Sequence, residues 1–120
     1  MPEGNIITFD KSPVLSETSG HKTNATQGNP FETCQIFYNH PSGNFRSGIW
    51  DCTAGAWYHD HPKTEFCYIV EGSVKIREKD GPLHEYTAGD SFIVPKGTPV
   101  TWIVETYAKK LFVGAEHLDG

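Results

Sequence analysis

No stretch of this chain repeats its apolar residues at a helical period, and turn signals recur about every eight to twelve residues. HPSGN (40–44), TAG (53–55), Asp80-Gly81, Ala88-Gly89-Asp90 and KGTP (96–99) punctuate the chain. Between them lie short β-branched and aromatic runs: TCQIFYN (33–39), FRSGIWDC (45–52), Glu65–Val70, SVKIRE (73–78), LHEYT (83–87), SFIVP (91–95), VTWIVET (100–106) and KKLFVG (109–114). SVKIRE alternates strictly, with Val74 and Ile76 against Lys75 and Arg77, so one face is buried and the other wet. Asp80-Gly81 is a strong hairpin signal and predicts that LHEYT returns antiparallel to SVKIRE. SFIVP reads as a buried strand. The pattern predicts an all-β antiparallel sandwich or barrel of about eight to ten short strands.

Residues 1–32 read differently. NIITF (5–9) fits a short edge strand, but Asp10 to Pro30 is polar, rich in Ser, Thr, Asn and Gly, and without period. This predicts an irregular N-terminal arm, 1–32, ahead of a barrel domain, 33–120. The 120 residues suit a single domain. A net charge of −5 with no basic run argues against nucleic acid or an anionic membrane as partner. No segment approaches the ~20 apolar residues of a membrane span. The N-terminus lacks a basic region followed by an apolar one, and the 3 cysteines (Cys34, Cys52, Cys67) include no CxxC pair. The expected location is therefore a reducing cytoplasm, without disulfides.

The stretch GAWYHDHPKTEFCYIVEG (55–72) concentrates the chemistry. His59, His61, Glu65 and Cys67 are separated by even steps, so an extended chain would turn all four to one face and Phe66 and Tyr68 to the other. Two imidazoles and a carboxylate suit a divalent first-row metal and leave positions open for water or substrate. His59, His61 and Glu65 are the expected ligands; Cys67 either completes the set or packs.

The same residues carry a family resemblance. HDHPKTEFCYIVEG resembles the first cupin motif, HxHx3Ex6G, through His59, His61, Glu65 and Gly72. GDSFIVPKG resembles the second motif through Gly89, Pro95 and Gly97. EFCYIVEG, the AGD turn, Trp102 and the Lys-rich last strand are similar to the (S)-ureidoglycine aminohydrolase-like cupins, over residues 33–114. The resemblance implies a jelly-roll barrel. It also implies a metal site, whose usual fourth ligand, a histidine three residues after the glycine of PxG, is Val100 here.

Two functions follow as expectations. In one, a divalent ion (Mn, Fe, Zn or Ni) on His59, His61 and Glu65 supports an aminohydrolase-type reaction on a small polar molecule. In the other, the barrel is a non-catalytic binding or sensing module with a degenerate metal site. Trp50, Trp57, Cys67 and Trp102 are the expected pocket residues. Arg46 and Arg77 read as solvated charges with the option of pairing a substrate carboxylate. Cys34 and Cys52 read as small core residues, and His21, His84 and His117 as unrelated to the site. A homodimer is expected, because a small barrel leaves strand edges to cover.

Overall fold

The computed structural model describes residues 5–116; His117 lies outside them. Eight strands make up the fold: β1 (Ser16–His21), β2 (Ala25–Gly28), β3 (Phe31–Asn39), β4 (Phe45–His59), β5 (Thr64–Glu78), β6 (Leu83–Thr87), β7 (Ser91–Val94) and β8 (Val100–Ala115). All pairings are antiparallel. The order is β1-β3-β4-β8-β5-β6, with β2 on β4 and β7 on β5, which makes a jelly-roll sheet. No helix among the described residues is long and apolar enough to cross a membrane.

Three expected strand breaks are bends inside long strands. β4 runs through TAG, β5 runs through Glu71-Gly72, and β8 joins VTWIVET to KKLFVG. The register slips instead, between Thr53 and Gly55 on β4 and around Glu71 to Lys75 on β5. A bulge of this kind kinks a strand without reversing it. The bend is large. Trp50 and Trp57 are about 23 Å apart along an extended chain, yet their ring centroids lie 5.8 Å apart. Glycine permits it where backbone meets backbone. Gly72 has φ 76°, and a Cβ there would run into the Tyr107 carbonyl oxygen on β8.

Gly72→Ala should therefore cost more than the about 1–2 kcal/mol of a left-handed backbone alone. Gly89 is the control, since it also has positive φ (97°) but nothing within 4 Å of a Cβ. Chemical denaturation should show Gly72→Ala the more destabilised of the two; equal losses would contradict this account of the bend.

The N-terminal region departs from its expected irregularity. β1 pairs β3 from Ser16↔Ile36 to His21↔Phe31, and β2 pairs β4. Both strands are mostly exposed and polar, so they present no core face to imprint a period on the sequence. Backbone ladders hold them, helped on β1 by Gln35 Nε2 donating to Glu17 Oε1 at 2.8 Å and by the His21 ring against Phe31. NIITF forms no strand; it leads into a turn in which Lys11 and Ser12 donate to the Thr8 carbonyl, and Phe9 stacks on Phe37 at 5.4 Å. β7 is less buried than expected, with only Val94 inside. The hairpin behaves as read. Asp80 takes φ 57°, Glu78 N donates to Pro82 O at 3.0 Å, and β6 returns from Arg77↔Leu83 to Ser73↔Thr87.

The core is the inner face of the rolled sheet. Trp50, Trp57, Ile69, Val74, Ile76, Val100, Trp102, Val104 and Phe112 form one cluster there. Phe66 and Tyr68 point to the outer face, 41% and 38% exposed.

Candidate functional site

The inward phase of three strands supplies the site. On β4 it brings Trp50 and Trp57, with His59 at the strand end; on β5 it brings Glu65 and Cys67. On β8, up to Phe112, the buried positions are all even: Val100, Trp102, Val104, Ala108, Lys110 and Phe112. Lys110 thus falls in the core-facing phase, and its register partners are Trp50 and Ile69.

The chain does not stay extended between the two halves of the first motif. β4 ends at His59, and His61 takes φ 52° in the loop before β5. The second motif holds that turn: Gly97 N donates to the His61 carbonyl at 2.8 Å, and the Thr98 carbonyl lies 3.3 Å from His61 Nδ1. His59, His61 and Glu65 still converge, because the loop turn restores what broken parity would have lost. The rings of His59 and His61 meet edge to face at 4.3 Å, and His61 Nε2 lies 3.5 Å from Glu65 Oε1. That last contact is long for a hydrogen bond. His61 Nε2 is buried with no closer partner.

The other carboxylate oxygen is taken. Lys110 Nζ donates to Glu65 Oε2 at 2.7 Å, from a side chain only 7% exposed. The ammonium also sits over the rings of Trp102 (4.2 Å), Trp50 (4.6 Å) and Phe112 (5.9 Å). Aromatic faces attract a cation that has left water, so carboxylate and rings together offset the cost of burying it. Burial by itself would raise the Glu65 carboxyl. The Lys110 charge, the nearby His61 ring and the Lys110 hydrogen bond outweigh it and hold Glu65 well below the usual carboxylate range. Burial works against the Lys110 charge, yet Cys67 and Glu65 more than compensate and raise its pKa. Cys67 is itself pushed up to about 12, first by burial. It is therefore a neutral thiol at pH 7, and Glu65 is the partner that keeps Lys110 charged. Burial, then the neighbouring His61, lowers His59, which is uncharged at pH 7.

A divalent ion does not fit these side chains as they stand. The Lys110 ammonium already holds one of the two oxygens of the Glu65 carboxylate, and among the described residues no group of three or more His, Cys, Asp or Glu is placed to hold a metal. Val100, at the position of the missing ligand, is buried core.

Two cavities meet here. The inner one, of 190 Å³, is lined by Cys34, Trp50, Trp57, His59, Glu65, Trp102, Lys110 and Phe112. The outer, of 300 Å³, shares His59, Glu65 and Phe112 with it and adds Arg46, His61, Pro62 and Lys63. Trp50, Trp57 and Trp102 line the inner cavity. Cys67 does not; it is fully buried in the core cluster.

Sequence reasoning missed four contributors. Lys110 stands in the sequence only as part of a Lys-rich last strand, although its phase with Ala108 and Phe112 marks it as inward. Cys34 lines the cavity rather than filling the core. Glu32 accepts from Trp50 Nε1 at 2.8 Å and pairs with Lys22 at 3.1 Å, while Lys22 lies over Trp57 at 4.6 Å. No sequence signal pointed to that last pair, which comes from the polar N-terminal region.

A family model described as the EutQ-like cupin domain matches residues 39–112, more than half of the chain. The EutQ protein of Clostridium difficile is similar in structure, with a TM-score of 0.66 and 18% identity over 75% of this chain and 71% of that one. A Pseudomonas syringae protein of unknown function from the DUF861 family has a TM-score of 0.75 and 20% identity, covering 89% of this chain but only 46% of its own. A DUF861 family protein of Thermotoga maritima is 30% identical over 53% of this chain and 73% of that chain, with a TM-score of 0.52. No curated protein matches the sequence significantly.

Proposed function

Since the chain belongs to the EutQ-like cupin family, we propose that it is a metal-independent cupin that binds a small organic molecule against Lys110. The observation that carries this is the 2.7 Å contact of Lys110 Nζ with Glu65 Oε2, which gives an ammonium partner to the carboxylate that the motif resemblance makes a metal ligand. A fixed, buried cation beside a carboxylate and under indole rings is a recognition surface in its own right. It offers charge, one strong acceptor and apolar walls in a cavity of small-molecule size. Lys110 is protonated at pH 7, and burial raises the Cys34 thiol that lines the cavity, so neither is a ready nucleophile. Binding without covalent chemistry is the function these groups support best.

The unpartnered Nε2 of His61 favours a second reading. In it, a divalent ion (Mn, Fe, Zn or Ni) displaces the ammonium and the protein is a hydrolase of the ureidoglycine aminohydrolase type.

Thermal-shift screening of a small-molecule library, run before and after dialysis against EDTA, separates the two. A ligand that binds only the native state raises its melting temperature. The proposal expects hits whose shifts survive EDTA and vanish in Lys110→Met. Shifts that appear only with added metal would remove it in favour of the second reading.

A further inference from the structure

Resting on that reading, we infer that the ligand is an organic carboxylate, entered through the outer cavity and seated by Arg46 and Lys63. The chain carries −5 overall, yet its pocket is positive. Arg46, Lys63 and Lys110 face the joined cavities, and Glu65 is the one carboxylate that lines them. Lys110 and Glu65 neutralise each other. Among the described residues neither Arg46 nor Lys63 forms a salt bridge; Lys63 Nζ donates to the Gly43 carbonyl at 3.1 Å. The Arg46 charge reaches the inner cavity as well, since it acts on Cys34 against the burial that raises that thiol.

Among the described residues no carboxylate is placed to match either charge. Low-dielectric walls focus the field of Arg46 and Lys63 into the cleft, which draws anions in. Arginine presents a planar fork that suits a carboxylate's two oxygens. A second, independent feature asks for the same chemistry. Trp102 lines the inner cavity, is 2% exposed, and its Nε1 is a buried donor with no partner. Unsatisfied buried donors are rare in folded proteins, and an acceptor on a ligand would satisfy this one. The indoles of Trp50, Trp57 and Trp102 demand an apolar body behind the charge, which inorganic anions lack. Arg77, the other arginine weighed from sequence, is exposed and lines neither cavity.

The chain's 3 tryptophans all line the inner cavity, so tryptophan fluorescence, excited selectively over the 5 tyrosines, reads this site. The probes are matched pairs: propionate with propionamide, and benzoate with benzamide, each titrated into wild type, Arg46→Gln, Arg46→Lys and Lys63→Gln, before and after EDTA. At least one carboxylate should bind about ten-fold or more tighter than its amide. Arg46→Gln should erase most of that preference without weakening the amide, whereas Arg46→Lys, which keeps the charge, should retain part of it. If Arg46→Gln fails to fold, loss of preference in Lys63→Gln carries the test. Amides binding as well as acids, no binding by any probe, or an unchanged preference in both glutamine variants would overturn the inference. A carboxylate preference that disappears on EDTA treatment would instead retain the anion and remove the metal-independent reading.

Discussion

Glu65→Gln should destabilise the protein at pH 7 by roughly 3–5 kcal/mol, the usual cost of removing one partner from a buried ion pair. The side chains are nearly the same shape, so the loss comes from charge. Lys110 would remain in the core, 5% exposed, with three aromatic faces but no carboxylate. Replacing both partners removes the stranded charge, and the double variant Glu65→Leu/Lys110→Met should recover most of the stability. Denaturant unfolding of the two variants beside wild type measures this. A single variant as stable as wild type would mean that Lys110 leaves the core freely and that the pair is not what fills the site.

The second large effect is on pH dependence, and its sign follows from the same pair. Glu65 is held below its ordinary value of 4.5 in the folded state. Its contribution is therefore complete above pH 4.5 and is lost as pH falls through the depressed folded value. Lys110 is held above its ordinary 10.5, so its contribution is complete below that pH and is lost as pH rises through the raised folded value. Between those limits the pair contributes a plateau. Wild type should lose stability steeply on the acid side, and Glu65→Leu/Lys110→Met should show a much flatter acid limb. Parallel acid limbs in the two proteins would show that other carboxylates set the acid behaviour.

What could be read from the sequence depended on whether a residue's role was local. SVKIRE and Asp80-Gly81 declare a strand and a hairpin by themselves, and β5, β6 and their register follow. His59, His61, Glu65, Gly72, Gly89, Pro95 and Gly97 were legible through motif spacing, and the contact of Gly97 N with the His61 carbonyl is how the two motifs join in space. Long strands were not legible. Gly55 and Gly72 look like turns in one dimension, whereas in three they are the places where β4 and β5 bend around the core. Gly55 is kept small by Pro30, whose Cδ would lie 2.5 Å from a Cβ there. β1 and β2 escaped notice because a ladder of exposed polar residues leaves no hydrophobic period.

Lys110 was the largest omission at the site. A lysine near the end of a strand is ordinarily a solvated charge. Its partner Glu65, 45 residues earlier, and the rings of Trp50 and Trp102 make burial tolerable. Pairing across β5 and β8 is a tertiary fact, and the HxHx3E spacing looks the same whether a metal or an ammonium faces the carboxylate. Arg46 shows the same limit: its placement beside Cys34 and the outer cavity depends on the β3–β4 register, which brings Cys34 opposite Trp50.

The most direct test of the account is the metal content of protein purified without added metal and then incubated with manganese, iron, zinc or nickel, measured by elemental mass spectrometry after gel filtration. The account predicts far less than one metal per chain for wild type under every condition, with ligand binding intact. Near-stoichiometric metal in wild type, lost in Glu65→Ala, would contradict it and return His59, His61 and Glu65 to the role of ligands.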